Sequence, residues 1–211
     1  MASAVSHPVF ARTFPAMSPA LEAGGIAEHR KNLLAGLAGE VIDIGAGTGA
    51  SFGHYPATVT RVLAVEPEPR LRALAAAATQ DAAVSIEVTG GMASALPAAD
   101  VSYDAAVVSF VLCTVPDQDA ALAEIRRVLR PGGKLCFLEH VRADTLGLAR
   151  MQQVLDATVW PRLFGGCHLS RDTAAAIERA GFTITRLEHF QFPAARTPVS
   201  FHIAGDAARG R

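Results

Sequence analysis

Lysine is nearly missing from this 211-residue chain, in which Lys31 and Lys134 stand against 17 arginines. An excess of either charge is also missing, since 19 basic and 20 acidic residues leave a net charge of −1. Near-neutrality excludes nucleic-acid binding by bulk charge, which needs a clear basic surplus. Cysteine is scarce. Cys113, Cys136 and Cys167 are odd in number and widely spaced, which gives neither a disulfide framework nor a zinc pattern, and no metal ligand set is expected. A reduced, cytoplasmic setting follows. Long apolar runs are absent too: Ala105 to Val115 is interrupted by Ser109 and Thr114 and is too short for a bilayer. The N-terminus lacks a basic start followed by an apolar stretch, and Pro8, Pro15 and Pro19 break it. Neither a signal peptide nor a stable membrane anchor is therefore expected.

What is present is apolar bulk. Half of the residues are hydrophobic and 41 are alanine, enough to bury one sizeable core. Residues 1–20 read as an N-terminal tail or as a lid, the latter through Phe10 and Phe14. Residues 21–211 read as one domain. Strand-like and helix-like segments alternate there, the signature of a parallel sheet covered by helices. Helices are expected over Leu21–Leu37, Leu71–Thr79, Asp119–Leu129 and Leu146–Leu163, and from a Ser170 cap to Ala180. Strands are expected over Val41–Ile44, Arg61–Val65, Val84–Val88, Tyr103–Leu112 and Lys134–Leu138, with Phe182–Phe192 and Val199–Ala204 closing the sheet. Arg130-Pro131-Gly132-Gly133 reads as a helix stop and turn.

The strongest local signal is Val41-Ile42-Asp43-Ile44-Gly45-Ala46-Gly47-Thr48-Gly49. A strand ending in closely spaced glycines turns sharply and lets a ligand approach the backbone. Glu66 ends the next strand, 21 residues after Gly45, the separation at which a carboxylate reaches a ribose diol. Together they point to a nucleoside-containing cofactor. Gly45, Gly47 and Ala50 also fit a dinucleotide fingerprint. Against that, Asp43 would repel a pyrophosphate but welcome an ammonium group. No Tyr-x-x-x-Lys pair is present either, because Tyr55 and Tyr103 are each followed four residues on by valine.

These residues resemble the class I S-adenosylmethionine-dependent methyltransferases. Tyr103-Asp104-Ala105-Ala106-Val107-Val108 looks like that family's fourth-strand motif, and Glu124 to Leu135 like its stretch before the fifth strand. The resemblance implies a single Rossmann-like α/β domain with a mostly parallel seven-stranded sheet and helices on both faces. It implies S-adenosyl-L-methionine as cofactor, held by Asp43, Gly45, Ala46, Gly47, Thr48, Gly49, Glu66, Pro67, Gly91, Met92, Ala93, Ser109, Phe110 and Val111. Met92 stands where relatives often carry an Asp that accepts from the adenine amine, so adenine would rest on apolar contact and backbone groups.

Candidates for acceptor chemistry lie in the second half. His140 follows the fifth strand at its C-terminal end, where open α/β sheets bind ligands, and His202 sits in the last strand. Both are candidate catalytic residues, and a histidine base can assist loss of a thiol proton. Cys113 reads as a buried small hydrophobe and Cys167 as structural. Ser51–Pro56, Val111–Val115, Glu139–Val141, Gln152–Val154, Gly166–Arg171 and His202–Ile203 look like the methyltransferase-like thiol S-methyltransferases, related to the ubiquinone-biosynthesis methyltransferases. That resemblance implies a small-molecule methyl acceptor, with an alkyl thiol favoured. Alternatives are O-, N- or C-methylation of a phenol, quinone or lipid amine, or a non-catalytic binding protein on the cofactor fold. The oligomeric state is not legible.

Overall fold

Residues 7–210 are described by a computed structural model, so the first six residues of the expected tail or lid lie outside the described part. Seven strands form one sheet: β1 (Gly39–Ile44), β2 (Val59–Val65), β3 (Ser85–Thr89), β4 (Tyr103–Ser109), β5 (Leu129–His140), β6 (Phe182–Gln191) and β7 (Phe201–Arg209). Their order is β3-β2-β1-β4-β5-β7-β6, and β7 runs antiparallel to both of its neighbours. The expected mostly parallel seven-stranded sheet is present.

Strand periodicity explains the two layers. Alternate residues of a strand face opposite sides. Ile42, Ile44, Ala106 and Val108 enter one buried cluster, with Leu122 and Ile125 of α4 (Gln118–Val128). Val41, Ala105 and Val107 enter the other, with Leu33 and Leu34 of α2 (Ala27–Leu34). A strand covered on both faces has no polar side, which is why β4 reads as a continuous apolar run. Some of the helices start at acidic caps. Glu68 accepts from Arg70 N–H ahead of α3 (Pro69–Ala78), and Asp117 accepts from Ala120 N–H ahead of α4.

Several expected boundaries move, each for a physical reason. The helix read over Leu21–Leu37 is a wide turn over Glu22–Ile26, in which Gly25 has φ 132°, followed by α2, which ends at Leu34; a separate helix α1 (Pro8–Leu21) precedes it inside the stretch read as a tail or lid. Helix α1 forms although Pro15 and Pro19 lie inside it, because its apolar residues pack over a cavity and tertiary contact overrides propensity. The Arg130–Gly133 turn is instead part of β5, whose pairing with β4 shifts register between Tyr103 and Ala105. Strand β4 stops at Ser109, three residues early, where Phe110 turns to φ 58°. The helical stretch after β5 is α5 (Leu146–Asp156) and a short α6 (Trp160–Leu163). Ser170 is not a helix cap. Its hydroxyl donates to Asp156, and Asp172 caps α7 (Thr173–Arg179) by accepting from Ala175 N–H. The closing strand starts two residues later than expected and runs five further, to Arg209. Among the described residues, no helix is long and apolar enough to cross a membrane.

Phe137 is fully buried in β5. Phe137→Ala is expected to cost about 3–5 kcal/mol in urea unfolding, whereas Leu146→Ala, at a site 72% exposed, should leave the midpoint unchanged within error.

Candidate active site

The sheet order reverses between β1 and β4: the chain runs outward through β2 and β3, then returns to the other side of β1. Such a switch point leaves a crevice at the strands' C-terminal ends. Here it opens into a cavity of about 370 Å³ that reaches from the glycine loop to His140 and His202. Its volume is at the low end for small-molecule sites.

The glycine loop is built by close approach. At Gly45 (φ 70°) an added Cβ would stand 2.5 Å from Val111 Cγ2, so only glycine lets β1 end this near the β4 loop. The carboxylate of Glu66 ties the loop to β2: Gly47 N–H donates to one oxygen at 2.8 Å and Glu68 N–H to the other at 2.9 Å. Burial lifts the Glu66 carboxyl to about 6, against these two donors. Asp43 accepts from the Tyr55 hydroxyl at 2.8 Å. Burial lifts it to about 6 as well, opposed by Tyr55, Arg30 and Ser51.

The opposite wall rests on Glu139, fully buried at the end of β5. It accepts from the N–H groups of Val111, Leu112 and Cys113 at 2.9, 2.9 and 3.0 Å. Burial raises its carboxyl while the three donors oppose that. The same loop is held from the far side, where Arg171 donates to Leu112 C=O at 2.5 Å and His168 N–H to Cys113 C=O at 2.7 Å. Asp156 receives Leu169 N–H and Ser170 N–H, closing the Cys167 segment against α5.

These clamps bring together Cys113, His140 and Cys167. The sulfurs are 3.9 Å apart, and His140 Nδ1 lies 3.7 Å from Cys167 Sγ and 4.0 Å from Cys113 Sγ. The hydrogen bond between Cys113 and Cys167 holds the Cys167 thiol far below its usual value, to about 5, with His140 adding to it, while burial pushes Cys113 up. His202 packs beside His140, ring centres 4.3 Å apart, and stacks on Phe190. Burial and the neighbouring His140 drive His202 down to about 3, so it is neutral near pH 7.

Of the expected cofactor residues, Asp43, Gly45, Ala46, Gly47, Thr48, Glu66, Pro67, Gly91, Met92, Ala93, Ser109, Phe110 and Val111 all line the cavity, as do His140 and His202. Gly49 does not line it. It turns the chain behind the loop, where a Cβ would meet Phe52 at 2.9 Å. Sequence reasoning missed the pairing of Cys113 with Cys167 and the clamping by Glu139 and Arg171. It also missed Trp160, Phe164 and Phe192 on the wall. The available signal was that both segments singled out around Cys113 and Cys167 carry a cysteine. Phe10, Phe14 and Met17 of α1 line the same cavity.

Residues 42–137 match a family model described as a methyltransferase domain. Thiol S-methyltransferase TMT1A of Homo sapiens is 38% identical over 173 residues, 80% of this chain and 70% of that protein. The ubiquinone/menaquinone biosynthesis C-methyltransferase UbiE of Methylobacterium nodulans is 34% identical over 110 residues, 52% of this chain and 41% of that one. An S-adenosylmethionine-dependent methyltransferase structure from Thermotoga maritima shares the fold with a TM-score of 0.71 at 21% identity, over 95% of this chain and 98% of that one.

Removing Glu139 would strand three buried donors. Glu139→Ala is expected to cost at least about 2–4 kcal/mol and to speed amide exchange at Val111, Leu112 and Cys113 beyond the change at β1. Uniform exchange across the sheet would show that the carboxylate has no special hold on this loop.

Proposed function

The chain belongs to the S-adenosylmethionine-dependent methyltransferases, and from that premise we propose that it methylates a small apolar thiol on sulfur. Bound S-adenosylmethionine supplies a methyl group already activated on a sulfonium sulfur.

The cavity fits this cofactor. Ser109 Oγ is buried with no hydrogen-bond partner among the described residues and lines the cavity, where a polar atom of the cofactor would satisfy it. Glu66 holds the ribose: each of its oxygens has one backbone donor and keeps a lone pair for a hydroxyl. Asp43, which lines the cavity, would offer the methionyl end a carboxylate for its ammonium group. Met92, Pro67 and Leu71 form an apolar wall for adenine.

The thiol reading is carried by the far end of the cavity, where two sulfurs and an imidazole sit among Phe110, Trp160 and Phe164. An apolar wall of this kind takes an alkyl group and excludes water. With a donor already activated, alignment and removal of the thiol proton are what remain for the protein. His140 is the activating residue at this end. His202, neutral and weakly basic, is a positioning residue: its Nδ1 lies 3.0 Å from Ser200 C=O, and its ring holds His140 against the cavity. Helix α1 serves as the lid, with Phe14 over the glycine loop. The relatives named for thiol S-methylation support the same acceptor.

A methyl-transfer screen with alkyl thiols, phenols, quinols and amines tests this reading. Turnover is expected with the thiols, and turnover confined to phenols or quinols would replace S-methylation by the second reading. His140→Ala should lower kcat by about 10²-fold or more while the cofactor Kd stays within twofold; a fully active variant would remove the assignment. Ionised Glu66 is the better acceptor of ribose hydroxyls, so cofactor affinity is expected to rise with pH through about 6 and level off above. In Glu66→Gln, binding measured by calorimetry should weaken by about tenfold or more, and the step attributed to Glu66 should be lost.

A further inference from the structure

We propose that Cys113, His140 and Cys167 form a three-ligand site for one zinc ion, with the fourth position open to the cavity. Zinc bound by cysteine sulfur at about 2.3 Å and histidine nitrogen at about 2.0–2.1 Å in tetrahedral geometry places two sulfurs about 3.8 Å apart and sulfur and nitrogen about 3.6 Å apart. The structure has 3.9 Å between the sulfurs and 3.7 and 4.0 Å from them to His140 Nδ1. All three separations match without movement beyond a few tenths of an ångström. They are far from the roughly 2.05 Å of a disulfide, and all three cysteines are free.

The support around the ligands is that of a preformed site. Glu139 receives Cys113 N–H, His168 N–H donates to Cys113 C=O, and Phe164 C=O receives Cys167 N–H. His140 is the residue after Glu139, so one strand end fixes a ligand and a clamp together. These bonds fix the backbone on which the two cysteine ligands stand and so pre-position their side chains. Two thiolates and one neutral imidazole suit zinc, and three protein ligands with one open position are the pattern of sites that act on a bound substrate rather than merely stabilise a fold. Cys136 lies elsewhere, its thiol donating to Asp206.

The role of the open position rests on the thiol reading above. An acceptor thiol entering it would bind through sulfur as the thiolate, its proton passing to solvent, so that His140 would activate the thiol through the metal that it ligates. The sulfur's electron pair then forms the new S–C bond as the donor's sulfonium C–S bond breaks, its electrons passing to the departing thioether.

The test uses the full-length reduced protein with neither cofactor nor acceptor, so its metal outcome does not depend on which acceptor is methylated. Incubation with Zn²⁺ and gel filtration should leave about one zinc per chain in the wild type and in Cys136→Ser. The ion should be lost in Cys113→Ser and in Cys167→Ser, and Co²⁺ loading should give a thiolate charge-transfer band only where both cysteines remain. In the wild type, Zn²⁺ should slow alkylation of Cys113 and Cys167 but not of Cys136, read by peptide mass. Substoichiometric zinc in the wild type, or protection equal at all three cysteines, would overturn the site. Propanethiol added to the Co²⁺ protein should shift the band; an unshifted band would overturn the sulfur-binding role. A zinc-loaded protein inactive on thiols would instead count against S-methylation.

Discussion

A buried carboxylate must be satisfied by the protein itself, and Glu139 meets that demand by gathering three successive backbone N–H groups at the end of β4. The rest of the site follows from this bond set. Aiming three amides at one point forces the chain out of strand geometry, and Phe110 takes up the turn at φ 58°. A non-glycine residue held there costs about 1–3 kcal/mol, a cost the charge-assisted bonds offset. The turn also brings Val111 against Gly45, which closes the glycine loop, and presents Cys113 to His140.

Acidity is distributed along the cavity on the same principle. Asp43, Glu66 and Glu139 are all buried and all shifted upward by burial, and each is held by donors from another segment. Such groups stabilise poorly on their own. A carboxyl with a folded value near 6 instead of 4.5 binds more protons than the unfolded chain between those values, so its contribution to stability falls as pH rises through that window. His202 acts with the opposite sign: depressed to about 3, it leaves the native state with fewer protons than the unfolded chain above that value. The two tendencies oppose each other across mildly acidic pH. What the protein gains from the carboxylates is geometry at a site that binds a cation-bearing cofactor.

Much of the fold was legible in the chain, and the failures have identifiable causes. Buried parallel strands such as Val41–Ile44 and Ala105–Val108 show as apolar runs because both faces are covered. Boundaries went astray where a distant partner decides them. Ser170 offers a good local cap, yet Asp156 takes its hydroxyl and Asp172 caps the helix instead. Prolines at 15 and 19 argue against a helix locally, yet α1 forms on the cavity it covers. Gly49 belongs to the same glycine run as Gly45 and Gly47, and only its neighbours Phe52 and Ala78 show that it faces away from the cavity.

The sequence by itself determined the sheet, the glycine loop, the acid at position 66 and hence the cofactor class, because each depends on residues close together or on a period along one segment. Tertiary structure decided the acceptor end. Cys113, His140 and Cys167 are separated by 27 residues each, the third cysteine Cys136 lies nearer His140 in the chain than either, and no spacing rule selects the right pair. Two loops, fixed by Glu139, Arg171 and Asp156, and the end of β5 bring these side chains within 4.0 Å of one another. Contacts between distant segments are set by packing of the whole sheet, and a one-dimensional pattern carries no record of them.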